Sequence, residues 1–239
     1  MELGLTHAAP PDLRVERGRP GRGPRAADVA VVMDVLRMTT TAAVLMRRCS
    51  RVAVAATLED LPQLEQPLSD LLLVSELADA DAWGARIDNS PVAASEVDLG
   101  SRTPVLITTN GTQALLAAAA CAPEVLLASF VDLYAVARHL AESATTRVLL
   151  MPAGQVARGE ACVEDDLCAD ALAALLAGRE PDLQAASRII RADPLVRQRI
   201  EVEPCFGIDL EVALAPQPSQ RALQFEALGR GVGHILRVA

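Results

Sequence analysis

Val29-Ala30-Val31-Val32-Met33-Asp34-Val35-Leu36-Arg37-Met38-Thr39-Thr40-Thr41 decides the fold. Five consecutive apolar residues read as a strand buried on both faces, as in a parallel sheet covered by helices. The run ends at an acid, and residues 40–48 then read as a helix. The pattern recurs: Val105-Leu106-Ile107 leads through Thr108-Thr109-Asn110-Gly111-Thr112 into a helical run over 112–121. Each turn places hydroxyls, an amide or Gly, and free backbone N–H groups where a helix starts. Such N–H groups lack internal partners and sit at the positive end of the helix dipole, so they attract anions. Two such turns, one with Asp34 and Arg37, point to a site for a negatively charged ester.

Working outward, further short apolar runs at 52–55, 71–74, 125–128 and 147–151 read as strands. Residues 58–66, 133–143 and 164–177 read as helices, with a C-terminal helical set near 183–199. Alternating strands and helices predict an α/β fold, a three-layer α/β/α arrangement with a largely parallel or mixed sheet. The repeated strand–turn–helix context hints at two related halves. Asp193-Pro194, Glu203-Pro204 and Pro216-Gln217-Pro218 punctuate the rest, where helices are expected before a return strand or tail that closes over the site. Residues 28–239 are expected to form this α/β domain. Residues 1–27, with their Arg/Pro/Gly-rich stretch, are expected to be a surface loop or loose arm.

Composition narrows the function. All 22 basic residues are Arg, which excludes a catalytic Lys, a Schiff base and a P-loop lysine. A net charge of −9 and 2% aromatic residues argue against nucleic acid as a partner. No apolar run reaches the roughly 20 residues of a membrane span, and residues 1–27 lack the apolar core of a secretory signal. The five Cys lie in apolar contexts without a CxxC pair. Buried reduced thiols, and hence a cytoplasmic location, are expected. An Ala/Leu-rich surface helix would suit a homodimer.

Asp34 ends a buried strand, where an acid is costly unless paired, hydrogen-bonded or metal-bound. Arg37 could pair with it or grip a phosphate in a fork. Asn110-Gly111 allows a tight turn that points N–H groups at a ligand. Glu76 follows the run at 71–74, and Glu164-Asp165-Asp166 opens a helix after a Gly-containing loop. With Asp34, these acids could give the oxygen ligands a hard cation such as Mg²⁺ prefers. The plainer alternative remains open: an Asp–Arg pair, Thr caps, and acids complementing a helix dipole. The three His residues are scattered, so neither a zinc cluster nor a His-based nucleophile triad is indicated.

Taken in order, Asp34-Val35-Leu36-Arg37 with its Thr run, Glu76, Asn89-Ser90-Pro91, Thr108-Thr109-Asn110-Gly111-Thr112, Ala153-Gly154 and Glu164-Asp165 resemble the 2-phosphosulfolactate phosphatases of the coenzyme M pathway. The resemblance covers roughly residues 28–178. It implies an α/β fold and Mg²⁺-dependent hydrolysis of 2-phospho-3-sulfolactate to 3-sulfolactate and phosphate. On this reading Asp34, Glu76 and Asp165 hold Mg²⁺, and Asp34, Arg37 and Glu164 are catalytic. Thr39, Thr40, Asn89, Thr109, Asn110, Gly111 and Thr112 bind the small phosphorylated acid. Two departures stand out: Ser75-Glu76-Leu77 replaces the family's Gly-Glu-Arg, and Ala169-Asp170 replaces Ala-Gly. Arg86 is the nearby base that could restore the lost charge. The alternatives are a phosphatase for a different small ester, or a non-catalytic anion-binding or regulatory protein on the same scaffold.

Overall fold

The computed structural model describes residues 13–20, 27–84, 86–217, 221–229 and 231–238. In chain order the strands are β1 (Arg14–Arg17), β2 (Val29–Met33), β3 (Val52–Ala55), β4 (Leu71–Val74), β5 (Arg86–Ile87), β6 (Thr103–Leu106), β7 (Glu124–Ala128), β8 (Arg147–Pro152), β9 (Leu223–Gly229) and β10 (Val232–Arg237). The helices are α1 (Met38–Leu45), α2 (Pro91–Glu96), α3 (Gly111–Ala119), α4 (Leu133–Glu142), α5 (Val163–Leu176), α6 (Leu183–Ala192), α7 (Pro194–Val202) and α8 (Cys205–Ala213). No helix among the described residues is long and apolar enough to cross a membrane.

All ten strands form one mixed sheet in the order β1-β8-β2-β7-β9-β10-β3-β6-β4-β5. β1, β8, β2 and β7 are mutually parallel, as are β3, β6, β4 and β5. The β9–β10 hairpin joins the two groups through three antiparallel pairings in succession. The second group therefore runs opposite to the first, and in a flat sheet the carboxyl ends of β2 and β6 would lie on opposite edges. Strands twist by about 20–25° per step, so the five steps from β2 to β6 turn through roughly 100–125°. The two ends converge, and the Gly111 N–H at the start of α3 donates to Asp34 at the end of β2.

Alternate strand residues fill two layers, as the period of a strand requires. Ala30, Val32, Val54, Leu72, Leu106 and Leu127 pack beneath α1 and α3 in one core that crosses both strand groups. On the opposite face, Val29, Val31 and Met33 meet α4 and α5, whereas Ala53, Leu71 and Leu73 meet a 3₁₀ segment at Leu58–Leu64. The α/β/α layering inferred from the sequence is present.

Several boundaries differ from expectation for identifiable reasons. Pro62 cannot donate a helical N–H, and residues 58–64 form 3₁₀ turns instead of an α-helix. The helical set expected near 183–199 is present as α6 and α7, parted where Asp193 accepts Leu195 and Val196 N–H groups and caps the second helix. Residues 14–17, expected in a loose arm, form an edge strand parallel to β8; residues 1–12 and 21–26 lie outside the described residues. The return strand is a hairpin in the middle of the sheet, and α7 and α8 lie over the site in its place.

Asp132 precedes α4 and accepts hydrogen bonds from Ser129 N–H and Oγ on Oδ1. Its Oδ2 is buried without a hydrogen-bond partner among the described residues. Burial raises its pKa to about 7. The stability this group contributes is full below its unfolded pKa near 3.8 and is lost as pH rises through about 7. Asp132→Asn keeps an acceptor for Ser129 and removes the buried charge. It is expected to match wild type at pH 4 and to gain roughly 1–2 kcal/mol at pH 8, read by thermal melts at both values.

Candidate active site

Asp34 sits at the carboxyl end of β2 and is buried. The turn beneath it is tied to itself. Thr39 Oγ1 donates to the Asp34 carbonyl at 2.8 Å, and Thr40 Oγ1 donates to the Val35 carbonyl at 2.7 Å. The Asp34 carboxylate accepts N–H groups from Met38 and Gly111. A side chain at position 111 would overlap Asp34 Oδ2 and Met38 Cε, so the close approach of the two turns requires Gly there. Burial raises the Asp34 pKa to about 7, with the charges of Glu76 and Glu164 adding to the shift.

Three more acids surround it. Asp165 is buried and accepts Val35 N–H on Oδ1 at 2.8 Å and Gly154 N–H on Oδ2 at 2.9 Å. It locks the ends of β2 and β8 together across α5. Glu164, its neighbour on the first turn of α5, is raised to about 7, chiefly by burial, and faces a cavity of about 840 Å³. Glu76 accepts Thr109 N–H at 2.8 Å and Thr109 Oγ1 at 3.1 Å on Oε1. Its Oε2 is buried without a hydrogen-bond partner among the described residues. Asn89 Oδ1 is likewise buried and unpartnered, and Asn89 lines the same cavity. Among the described residues no three acid, imidazole or thiol groups converge as a ready-made metal cage.

Arg37 is held by three carboxylates: Asp88 Oδ2 at 2.7 Å, Asp209 Oδ2 at 2.8 Å and Glu203 Oε1 at 3.3 Å. Its guanidinium also lies 5.6 Å from the centroid of Phe206. Burial alone would lower its pKa, but hydrogen bonding to Asp209 and the nearby acid charges raise it. The Asp209 carboxylate is 1% exposed and also accepts Ser90 Oγ at 2.6 Å. Arg37 thereby clamps the Asp88 turn and α8 onto the Asp34 turn.

The structure sorts the predicted residues into two sets. Asp34, Arg37, Glu76, Asn89, Thr109, Asn110 and Glu164 line the cavity. Thr39, Thr40 and Thr112 do not: their hydroxyls are fully buried and bonded to backbone groups of their own turns. They shape the two turns, as caps do, and stand behind the cavity lining. Gly111 stands behind the lining and faces Asp34. Asp165, expected as a metal ligand, spends both oxygens on backbone N–H groups and serves as a brace. Asn110 Oδ1 accepts Val156 N–H at 3.0 Å, which fixes the loop after β8.

The two departures from the family motif lie away from the lining. Leu77 packs on the Leu58–Leu73 core. Asp170 is exposed and pairs with Arg17 of β1. Arg86 is committed to Asp81 and to the Ser75 carbonyl, so it does not restore a charge to the cavity. Sequence reasoning missed Asp209, Glu203 and Phe206. They sit on or just before α8, some 170 residues from Arg37 in the chain, with no local pattern to link them.

A mixed α/β sheet with an acid-lined cavity at two converging strand–helix turns defines the class: a small-molecule site at strand ends, of the kind α/β folds support. A family model described as 2-phosphosulpholactate phosphatase matches residues 19–203, and the chain belongs to that family. Three similar proteins each bear the description "Probable 2-phosphosulfolactate phosphatase". The protein from Deinococcus radiodurans is 38% identical over 128 residues, covering 53% of each chain. That from Thermus thermophilus is 37% identical over 161 residues, 66% of this chain and 65% of its own. That from Synechocystis is 32% identical over 202 residues, 83% of this chain and 79% of its own. The match thus spans about half the first relative and just under two thirds of the second.

Proposed function

We propose that this protein is a Mg²⁺-dependent phosphatase that hydrolyses 2-phospho-3-sulfolactate to 3-sulfolactate and phosphate. The observation that carries the reading is the Glu76 Oε2, buried without a partner among the described residues, on a carboxylate close enough to Asp34 to raise its pKa. A cluster of acids with an orphaned buried oxygen is unfavourable alone and favourable around a cation. Mg²⁺ binds through one or two carboxylates and fills its remaining positions with water and substrate phosphate, so a three-ligand cage is not required. Asp34 and Glu76 fit as its protein ligands. Bound there, it would neutralise charge on the phosphoryl oxygens.

The chain's own groups supply the rest. Met38 and Gly111 N–H groups fix the Asp34 carboxylate, and Asp165 fixes the backbone on both sides of it. Thr109 and Asn89 place polar atoms at the cavity wall, where they orient the ester. Glu164 titrates near neutrality and accepts a proton from a water attacking phosphorus in line with the ester oxygen. The bond to that oxygen breaks on the opposite side of phosphorus, the departing alkoxide takes a proton from water, and Glu164 returns its own proton to solvent. Leu77 and Asp170 lie outside this machinery, so the motif departures leave the catalytic reading intact.

The test is phosphate release from a panel of phosphorylated hydroxy acids with Mg²⁺ and with EDTA. Release that needs Mg²⁺ and favours the sulfonated ester is the expected result, together with a rise in melting temperature on adding Mg²⁺. A folded protein that releases no phosphate from any ester overturns the reading in favour of an anion-binding role.

A further inference from the structure

Among the described residues three arginines line the cavity, and they are not equivalent. Arg37 is committed to Asp88, Asp209 and Glu203. Arg199 pairs with Glu203 Oε2 at 2.8 Å and lies 5.3 Å from the Phe206 centroid. Arg158 lines the cavity and is exposed, with no ion pair among the described residues.

Arg158 nevertheless has a fixed base. It belongs to a tight turn in which Gln155 N–H donates to the Glu160 carbonyl at 2.9 Å and Gly159 N–H donates to the Gln155 carbonyl at 2.8 Å. Gly154 at φ 60° and Gly159 at φ 66° make that reversal; both conformations are costly for other residues. The turn is pinned to the catalytic floor on two sides, through Gly154 N–H to Asp165 and Val156 N–H to Asn110. Part of the cavity lining is apolar, from Leu195, Val196 and Phe206. That surface offers a second negative group nothing.

We infer that Arg158 selects esters that carry a second anionic group, by pairing its guanidinium with that group while the phosphoryl end lies against Asp34 and Glu76. This rests on the phosphatase reading above and adds the residue that distinguishes one small ester from another. A planar fork suits a sulfonate or carboxylate, and uncommitted charge on an anchored turn makes the pairing available without breaking an internal salt bridge.

The experiment compares wild type, Arg158→Ala and Arg158→Lys on 2-phospho-3-sulfolactate and on p-nitrophenyl phosphate, which has no second anion. Calorimetric binding of 3-sulfolactate and of inorganic phosphate is measured alongside. Arg158→Ala is expected to raise KM for the sulfonated ester by about 10- to 100-fold, the loss of one charge-assisted hydrogen-bonded pair. Its kcat and its activity on p-nitrophenyl phosphate stay near wild type, and Lys falls between. Sulfolactate binding weakens in parallel while phosphate binding holds. Equal losses on both esters, or none, overturn the inference. Should wild type release no phosphate at all, the phosphatase reading fails and binding decides: sulfolactate affinity that falls in Arg158→Ala supports the pairing, and affinity that is absent or unchanged overturns it.

Discussion

Asp34→Asn is expected to lower kcat/KM by roughly 10³-fold or more while the protein remains folded. Asn has nearly the same shape and keeps one oxygen to accept an N–H from Met38 or Gly111, so the turn survives. What disappears is the negative charge at the point where both turns converge. Because burial and the charges of Glu76 and Glu164 already disfavour that charge in the protein without a cation, its removal does not weaken the fold. The melting temperature at pH 8 is expected to hold or rise, and the Mg²⁺-induced rise in wild type is expected to be lost. Phosphate release and melts with and without Mg²⁺ check both halves. Turnover equal to wild type would remove Asp34 from its proposed role.

Arg37→Ala is expected to act first on stability. Asp209 would keep its hydrogen bond from Ser90 but lose the cation that balances its buried charge. Breaking a buried ion pair from one side costs about 3–5 kcal/mol, or about 10 °C of melting temperature for a chain of this size. Turnover falls with it, because α8 and the Asp88 turn lose their common anchor. Adding Asp209→Asn in the same chain is expected to recover part of the stability. An unchanged melting temperature with weakened phosphate binding would instead mark Arg37 as a ligand cation. The sequence reading treated it as one; its three carboxylate partners make it a clamp.

The contrast shows what a sequence displays and what it hides. Strand β2, the Asp34 turn and the Thr108–Thr112 turn were legible because their signals are local: five apolar residues, then cap residues, then a helical run. The acids of the site were legible for the same reason, each standing at the end of a strand or the start of a helix. Roles were harder. Thr39, Thr40 and Thr112 look alike whether a hydroxyl faces a ligand or its own backbone, and only the fold shows that it faces the backbone. Asp165 and Glu164 are adjacent, yet the helix turns one to brace the backbone and the other to the cavity. Arg37 and Asp209 meet through tertiary packing alone. Strand β1, charged at three of its four positions on a sheet edge, gave no apolar run. Strand β9 did begin with an alternation, Leu223 and Phe225 buried, and the glycines at the hairpin turn, Gly229 and Gly231 with φ of 87° and 76°, were an available sign of it.

That hairpin carries a consequence for the life of the chain. Strands β9 and β10 are the last to be synthesised of those described, yet they stand at the centre of the sheet. Until they emerge, β7 and β3 each present an open row of N–H and C=O groups, the kind of edge on which chains aggregate. Until then α1 and α3 still pack across the two strand groups, but the sheet that sets the Asp34 and Gly111 turns in register is incomplete at its centre. Asp34, Glu76 and Glu164 all precede that hairpin in the chain, yet the sheet that carries them is closed only when it is in place.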